Sequence, residues 1–413
     1  DWDENEIIKI LNKTANKNFA KINTLNYKNW KQFVNESLIY CTSNNIDSTL
    51  PYESFLNEKN LQQLKSESYI NQYKWDNWDY IFVGTAGVLA SLTDYFLVKI
   101  PRTINYSGTL QEGSPITEFL KNQINSENSG TWFSDFAKRM EKSCKVPYDT
   151  VNNGLDGMTG RTHRLQSLGH DPVLGFIFGI IDIYRGTLTG FSYDALSKTH
   201  TLKVKTISEK QSINLIESFL LQIGHLISDV GTKMGIQPPF FTLFQDINFT
   251  SPFSQKNRTI GEIARWMYLN GFDLRHFITQ GITPTTIELI LRTYIMIKHY
   301  QENGNVKFDL ASNPKYRSML LSSHAIASAG NIGKIILMQG NPLAINYAEW
   351  LALFRYLLPS LKYWVFTKQG IEFEHLKSIN ENSWNDIIKS SDDILNKVYV
   401  KQIEPINLGK YEW

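Results

Sequence analysis

"QSINLIESFLLQIGHLISDVGTKMGIQPPF", residues 211–240, is the stretch on which the fold turns. Its apolar residues recur at helical spacing as far as the glycines, and Pro238-Pro239 cannot continue a helix. The pattern predicts one long helix over 211–235. Leu221, Leu226 and Ile227 are apolar, so the helix is read as largely buried. His225 and Asp229 lie four apart and share one of its faces. An imidazole and a carboxylate presented together form a bidentate metal platform, or a simple ion pair. If buried, either arrangement needs partners.

The same periodicity continues outward. "TIGEIARWMYLNGFDLRHFI" (259–278) reads as two helices around a glycine break. "TPTTIELILRTYIMIKHY" (283–300) opens on a Thr cap and a proline. "SMLLSSHAIASAGNIGKIILMQG" (318–340) is a helix of small residues. Upstream, "IFVGTAGVLASLTDYFLVKI" (81–100) and "PVLGFIFGIIDIYRGTLTGF" (172–191) read as apolar helices. In the first of these, Gly, Ala and Ser permit close helix packing. Residues 1–75 are rich in Lys and Asn and read as amphipathic helices, as in "IIKILNKTANKNFAKI" (7–22). Residues 102–150 are read as loop-rich with short helices such as "TWFSDFAKRMEKSC" (131–144). Strand-like alternation is convincing only in "THTLKVKTIS" (199–208), taken as a short hairpin or excursion. The expectation is an all-α protein with at most one short β excursion. Its divisions are a polar helical layer (1–75), a helical core (76–250) and a C-terminal helical array (251–413).

The bulk numbers bound the function. A chain of 413 residues, 42% hydrophobic and 20% charged, can build a large core. A net charge of +2 argues against nucleic-acid binding. Cys41 and Cys144 form no C-x-x-C pair, which excludes a disulfide framework or a cysteine zinc site and points to a reducing cytosol. The opening "DWDENE" shows no signal pattern. Each apolar run of about twenty residues is interrupted by charge: Asp94 in the first, Asp182 and Arg185 in the second. They are read as buried core helices in a cytoplasmic protein. Membrane association is the alternative, and there an interior acid marks function.

The candidate chemistry lies in "GRTHRLQSLGHDPVLG" (160–175). His163 and His170 flank Arg164, and Asp171-Pro172 has the form of an N-cap with a first-turn proline. Asp94 is the third element, either a ligand or a buried acid satisfied by a protein partner. Asp94, His163, His170, His225 and Asp229 together form an oxygen and nitrogen donor set suited to zinc, manganese or iron. His324 is read as structural. His200, His276, His299 and His375 are read as surface residues. The glycine-rich "VNNGLDGMTG" (151–160) lacks the Lys-Ser/Thr of a phosphate loop, and no Gly-x-Ser-x-Gly elbow is present.

The order of these motifs resembles the predicted membrane-bound metal-dependent hydrolases, related in pattern to zinc-dependent phospholipase C. The resemblance covers about residues 80–245. It rests on "GTAGVLASLTD" (84–94), on "THRLQSLGHD" (162–171) and, best of all, on "GHLISDVGTKMGIQPPF" (224–240). It implies a metal-dependent hydrolase of a phosphoester, lipid or nucleotide, using metal-activated water. Asp171 is then expected to orient a ligand or act as base, and Arg164 to stabilise developing negative charge. The substrate would be an anionic small molecule or lipid. The rivals are a non-catalytic membrane-associated effector or sensor and a structural scaffold whose polar clusters satisfy one another.

Overall fold

The computed structural model describes residues 30–43, 73–124, 132–151, 153–197, 199–208, 213–249, 258–305 and 313–368, with scattered positions from 370 to 389. His375 and residues 1–29 lie outside the described residues. The chain forms two compact units. One comprises Asp1–Tyr73 with Thr367–Trp413, in which α1 (Trp30–Ser43) is described. The other is Lys74–Phe366.

In the larger unit α2 (Asn77–Thr93) begins at a capping box, with Asp76 accepting from the Asp79 amide, and runs on as a π-helical turn, Asp94–Val98. A small hairpin of β1 (Ile104–Tyr106) and β2 (Thr109–Gln111) follows. Next come α3 (Pro115–Ile124), α4 (Trp132–Ser143), the short α5 (His163–Gln166) and α6 (Phe178–Arg185). A second hairpin pairs β3 (Thr187–Asp194) with β4 (Thr199–Thr206) in the register Thr187↔Thr206 to Asp194↔Thr199. The helical remainder is α7 (Leu215–Val230), α8 (Ile260–Leu269), α9 (Leu274–Gln280), α10 (Ile282–Asn303), α11 (Pro314–Leu337) and α12 (Tyr347–Lys362), which ends in a π turn, Tyr363–Thr367.

Two antiparallel two-stranded sheets overturn the expectation of an all-α chain with at most one β excursion. The unforeseen sheet is β1–β2, inside the segment 102–150 read as loop-rich. The expected hairpin starts earlier than read, because β3 begins inside the run 172–191 taken for helix. The apolar run makes a 3-10 turn at Leu174–Phe176, then only the two turns of α6. Gly186 closes α6 in the left-handed region, at φ 71°. Asp182 then accepts from Thr187 Oγ1 (2.6 Å), Thr189 N (2.8 Å) and Thr189 Oγ1 (2.8 Å). The carboxylate that interrupts the apolar run thus fastens the strand that follows it.

The boundary expected at residue 250 does not divide the larger unit. α2 packs on α10 and α11, and α12 on α11, around Val83, Ala86, Ala90, Ile287, Leu291, Met319, Leu320 and Ala327. The small residues of α2 do permit close approach: a Cβ on Gly87 would meet Ile326 Cβ at 2.7 Å. Ser323 Oγ donates to the Val83 carbonyl across the same seam (2.8 Å). A second core gathers Ile100, Leu165, Phe241, Met267, Tyr268, Phe272 and Leu343. A third gathers Val146, Tyr148, Leu155, Met158, Ile183 and Leu188 beneath α7.

Candidate metal centre

The site is assembled from three pieces of backbone. α7 supplies His225 and Asp229; its N-cap Asn214 accepts from the Glu217 amide, and the helix ends at Gly231. The second piece is α5 with the 3-10 turn Leu168–His170, which supplies His163 and His170. It is pressed against β3 through the Ser167↔Gly190 bridge. A Cβ at position 190 would sit 2.4 Å from the Gln166 carbonyl oxygen, so only glycine allows this seating. The third piece is Tyr148-Asp149, just beyond α4.

Asp149 Oδ1 lies 3.1 Å from His163 Nε2 and 3.6 Å from His170 Nε2. Asp229 Oδ2 lies 3.4 Å from His170 Nε2 and 3.3 Å from His225 Nε2. The two imidazole Nε2 atoms of His170 and His225 are 3.3 Å apart. Asp149, His170 and His225 form a group that could hold a metal ion, their ligand atoms all within 4.8 Å of one another. Metal–ligand bonds of about 2.1 Å at tetrahedral angles give ligand–ligand separations of roughly 3.4 Å. The observed spacings fit that geometry.

Hydrogen bonding fits it as well. Asp229 Oδ2 is buried with no well-formed hydrogen bond, and so is His170 Nδ1. His163 Nδ1 meets the Thr159 carbonyl at 3.2 Å. A proton on that nitrogen leaves Nε2 bare, facing a carboxylate. Acceptors facing acceptors are what a cation resolves, and a backbone carbonyl behind the imidazole is the usual orienting partner of a ligating histidine. Burial pushes the His170 imidazole down to about 4, against the pull of Asp149 and Asp229, so it is neutral at pH 7. Burial raises the Asp149 carboxyl, but without a metal the alternative tautomers, with the proton on Nε2, let His163 and His170 donate to it, which outweighs burial and holds the group well below the usual carboxylate range.

Neighbouring side chains hold the donors. The Tyr148 ring lies edge-on to His170 (4.9 Å between centroids) and to His225 (5.5 Å). Its hydroxyl donates to Gln222, whose Nε2 donates to the Gly169 carbonyl at 2.7 Å. Arg164 reaches Asp229 Oδ1 (3.1 Å) and donates to Thr232 Oγ1 (2.6 Å), while Thr232 bonds back to the Asp229 carbonyl. Only Asp149 opens to solvent, its side chain 39% exposed.

Of the residues picked out in the sequence, His163, His170, His225, Asp229 and Arg164 come together here. Asp94 does not join them as a ligand, and Asp171, expected to orient a ligand or act as base, is engaged with backbone amides. Asp171 is a cap, its Oδ1 accepting from the Val173 (2.9 Å) and Leu174 (3.0 Å) amides. Burial raises its carboxyl to about 6 in spite of these bonds. Asp94 lies in a separate buried cluster with Lys334 (2.9 Å), Asn331 (2.7 Å) and Asn346 (2.8 Å). That leaves Asp149 as the residue the sequence reading missed, in a segment taken for loop. Its only sequence signal is an acid beside an aromatic residue, shortly after a short amphipathic helix.

The remaining histidines divide differently from the expectation. His200 and His276 are buried, not at the surface. His200 packs on Tyr193, and His276 Nδ1 contacts Thr117 Oγ1 at 2.9 Å. His299 Nδ1 contacts the Asn305 carbonyl at 3.1 Å. His324 is structural in its contacts, with Nδ1 2.9 Å from Glu349 Oε1. Comparison with known protein families, curated proteins and solved structures finds no match to this chain.

Proposed function

We propose that the chain is a metal-dependent hydrolase that cleaves a phosphoester in an anionic small molecule or lipid. The observation that carries this reading is the convergence of three imidazoles and two carboxylates with acceptors facing one another. His170, His225, Asp149 and Asp229 would hold a divalent cation, with zinc suited to the donors and manganese or iron compatible with them. His163 would stand beside Asp149. A cation so held supplies Lewis acidity and a water of lowered pKa. Asp149, the one donor at the solvent edge, would orient a water toward the substrate phosphorus and receive its proton, which would pass on to the leaving alkoxide. Arg164 and Thr232 fix Asp229 from behind, and the guanidinium leaves a positive field at the anionic substrate.

The test is elemental analysis of protein prepared without a histidine tag, combined with hydrolysis of bis(p-nitrophenyl) phosphate. One metal per chain, and turnover lost in His225→Ala, is the expected result. Folded protein that takes up no divalent metal from a metal-supplemented buffer would end the proposal. Bound metal without turnover on phosphomonoesters and phosphodiesters would end its hydrolase half.

A further inference from the structure

α2 with its π turn covers 22 residues, α10 22 and α11 24, and α12 adds five residues of π turn to its 16. At 1.5 Å per residue these lengths are about 32–36 Å, close to the hydrocarbon thickness of a bilayer. The four run up, down, up and down. Asp79, Lys298 and Lys315 meet at one end, where Lys298 and Lys315 lie 2.7 Å and 2.8 Å from the Asp79 carboxylate. Asp94, Thr283, Lys334 and Asn346 meet at the other.

The outward faces reverse the usual pattern. On α2 the exposed side chains are Trp78, Tyr80, Ile81, Val88, Leu89, Leu92, Tyr95, Phe96 and Leu97, with Asn77 and Thr85. On α10, up to Tyr300, they are Thr285, Leu289, Thr293, Ile297 and Tyr300. On α11 they are Ala325, Ile326, Ala329, Ile332, Ile336 and Leu337. None of these is charged. α12 adds Phe354, Leu358, Leu361, Trp364, Val365 and Phe366, and admits two cations, Arg355 and Lys362. Arg355 lies over the Tyr356 ring at 5.7 Å, and both residues have stems long enough to carry charge toward an interface.

The charges of the layer are instead mostly paired within it: partly exposed Glu288 is bound by Arg292 and Tyr356, buried Glu349 by His324, and buried Asp94 by Lys334. Trp78, Tyr80, Tyr300 and Trp364 are exposed together near the Asp79 end, where an aromatic belt would meet headgroups. A helix layer that keeps an apolar seam, pairs its charges within itself and turns an almost uncharged apolar exterior outward is suited to apolar surroundings.

We propose that α2, α10, α11 and α12 span a lipid bilayer as an antiparallel four-helix layer, a property independent of the metal centre. Among the described helices only α2, with a mean hydropathy of 1.7, is apolar enough by composition alone. The other three hide their apolar outer stripes behind inward charges, so averaging along the sequence misses them. The run 172–191, the second apolar stretch, is not part of the layer.

The full chain tests this directly. It should stay with membranes through high-salt and alkaline carbonate washes and leave only in detergent. In a Cys41→Ser/Cys144→Ser background, Val88→Cys, Leu289→Cys and Ile332→Cys would each carry a fluorophore in phosphatidylcholine vesicles. Nitroxide-labelled lipid chains should quench these three several-fold more than Leu196→Cys, at the exposed tip of the β3–β4 hairpin. Carbonate release of a soluble monomer would overturn the proposal. So would a soluble oligomer that buries the three positions against other copies, or quenching equal to that at residue 196.

Discussion

Two buried clusters, about equally conspicuous in the sequence, have opposite chemistry. Around Asp94 both carboxylate oxygens are satisfied, by Lys334 and Asn346 on one and Asn331 on the other. Acid, ammonium and amides complete one another, and no further ligand is called for. Around Asp229 stand two imidazoles and an arginine, with a third imidazole and a second acid beside His170, and one buried carboxylate oxygen of Asp229 lacks a hydrogen bond. An ionisable residue in an apolar helix therefore says only that a partner exists. Whether that partner is a protein cation or a metal depends on which donors the fold supplies, and in these two places it supplies different ones.

The largest expected effect separates the clusters cleanly. His225→Ala removes a central donor and should abolish stoichiometric zinc uptake, measured by elemental analysis after gel filtration. Asp94→Asn should leave metal stoichiometry untouched. Loss of metal in Asp94→Asn, in protein with a native circular dichroism spectrum, would mean that the two clusters are coupled after all. The same substitution has its cost elsewhere, because the buried Lys334 then faces a neutral amide. Removing one partner of a buried ion pair costs about 3–5 kcal/mol. Thermal or denaturant unfolding should show most of that loss, and Asp94→Asn/Lys334→Met should recover part of it. An unfolding midpoint unchanged in the single variant would show that Lys334 finds another acceptor.

How far the sequence reveals this pair of clusters depends on local signal. His225 and Asp229 are legible because one helix turn puts them on one face. His163, Arg164 and His170 are legible because they crowd into eight residues. Asp149 is not, because its approach to His163 depends on the loop after α4 folding back beneath α7, a long-range event without local periodicity. Asp94 is legible as a buried acid but its company is not, because its partners Asn331, Lys334 and Asn346 lie more than 230 residues away. The hairpin was half legible. β4 alternates, whereas β3, buried along most of its length, has the same apolar run as a helix and is distinguished only by Gly186 and the Asp182–threonine clasp. Much of the apolar exterior of α10, α11 and α12 was illegible for a similar reason, since inward-facing charges mask outward-facing hydrophobicity.

A smaller effect is expected behind the metal ligands. Arg164 holds Asp229 without replacing it, so Arg164→Gln should weaken metal affinity about 10–100-fold, the usual range for a partner that orients a ligand. Competition against a chromophoric chelator measures this. Affinity within twofold of wild type would show that α7 alone fixes Asp229. A loss as complete as in His225→Ala would show that the guanidinium is essential to assembling the site.

The smallest effect comes from a histidine with no place in the metal centre. His276 on α9 is fully buried, and burial, aided by the positive charges of Lys121 and Lys334, holds its imidazole well below the ordinary value. The native state therefore keeps it neutral where the unfolded chain, titrating near 6.5, takes up a proton. The sign follows from that difference. Above about pH 7 neither state is protonated and His276 adds no pH dependence. As pH falls below about 6.5 the unfolded state gains protons that the native state refuses, so stability falls with pH. Between pH 7.5 and 5.5 one such group accounts for about 1.4 kcal/mol. His170 adds a slope of the same sign in the metal-free protein, which is why the measurement compares wild type with His276→Gln under identical metal-free conditions. The variant should unfold with a pH dependence shallower by about that amount, while Thr117 keeps an amide partner in place of the imidazole. If the two proteins lose stability in parallel down to pH 5.5, His276 is being protonated in the native state, and the packing between α3 and α9 must admit the charge.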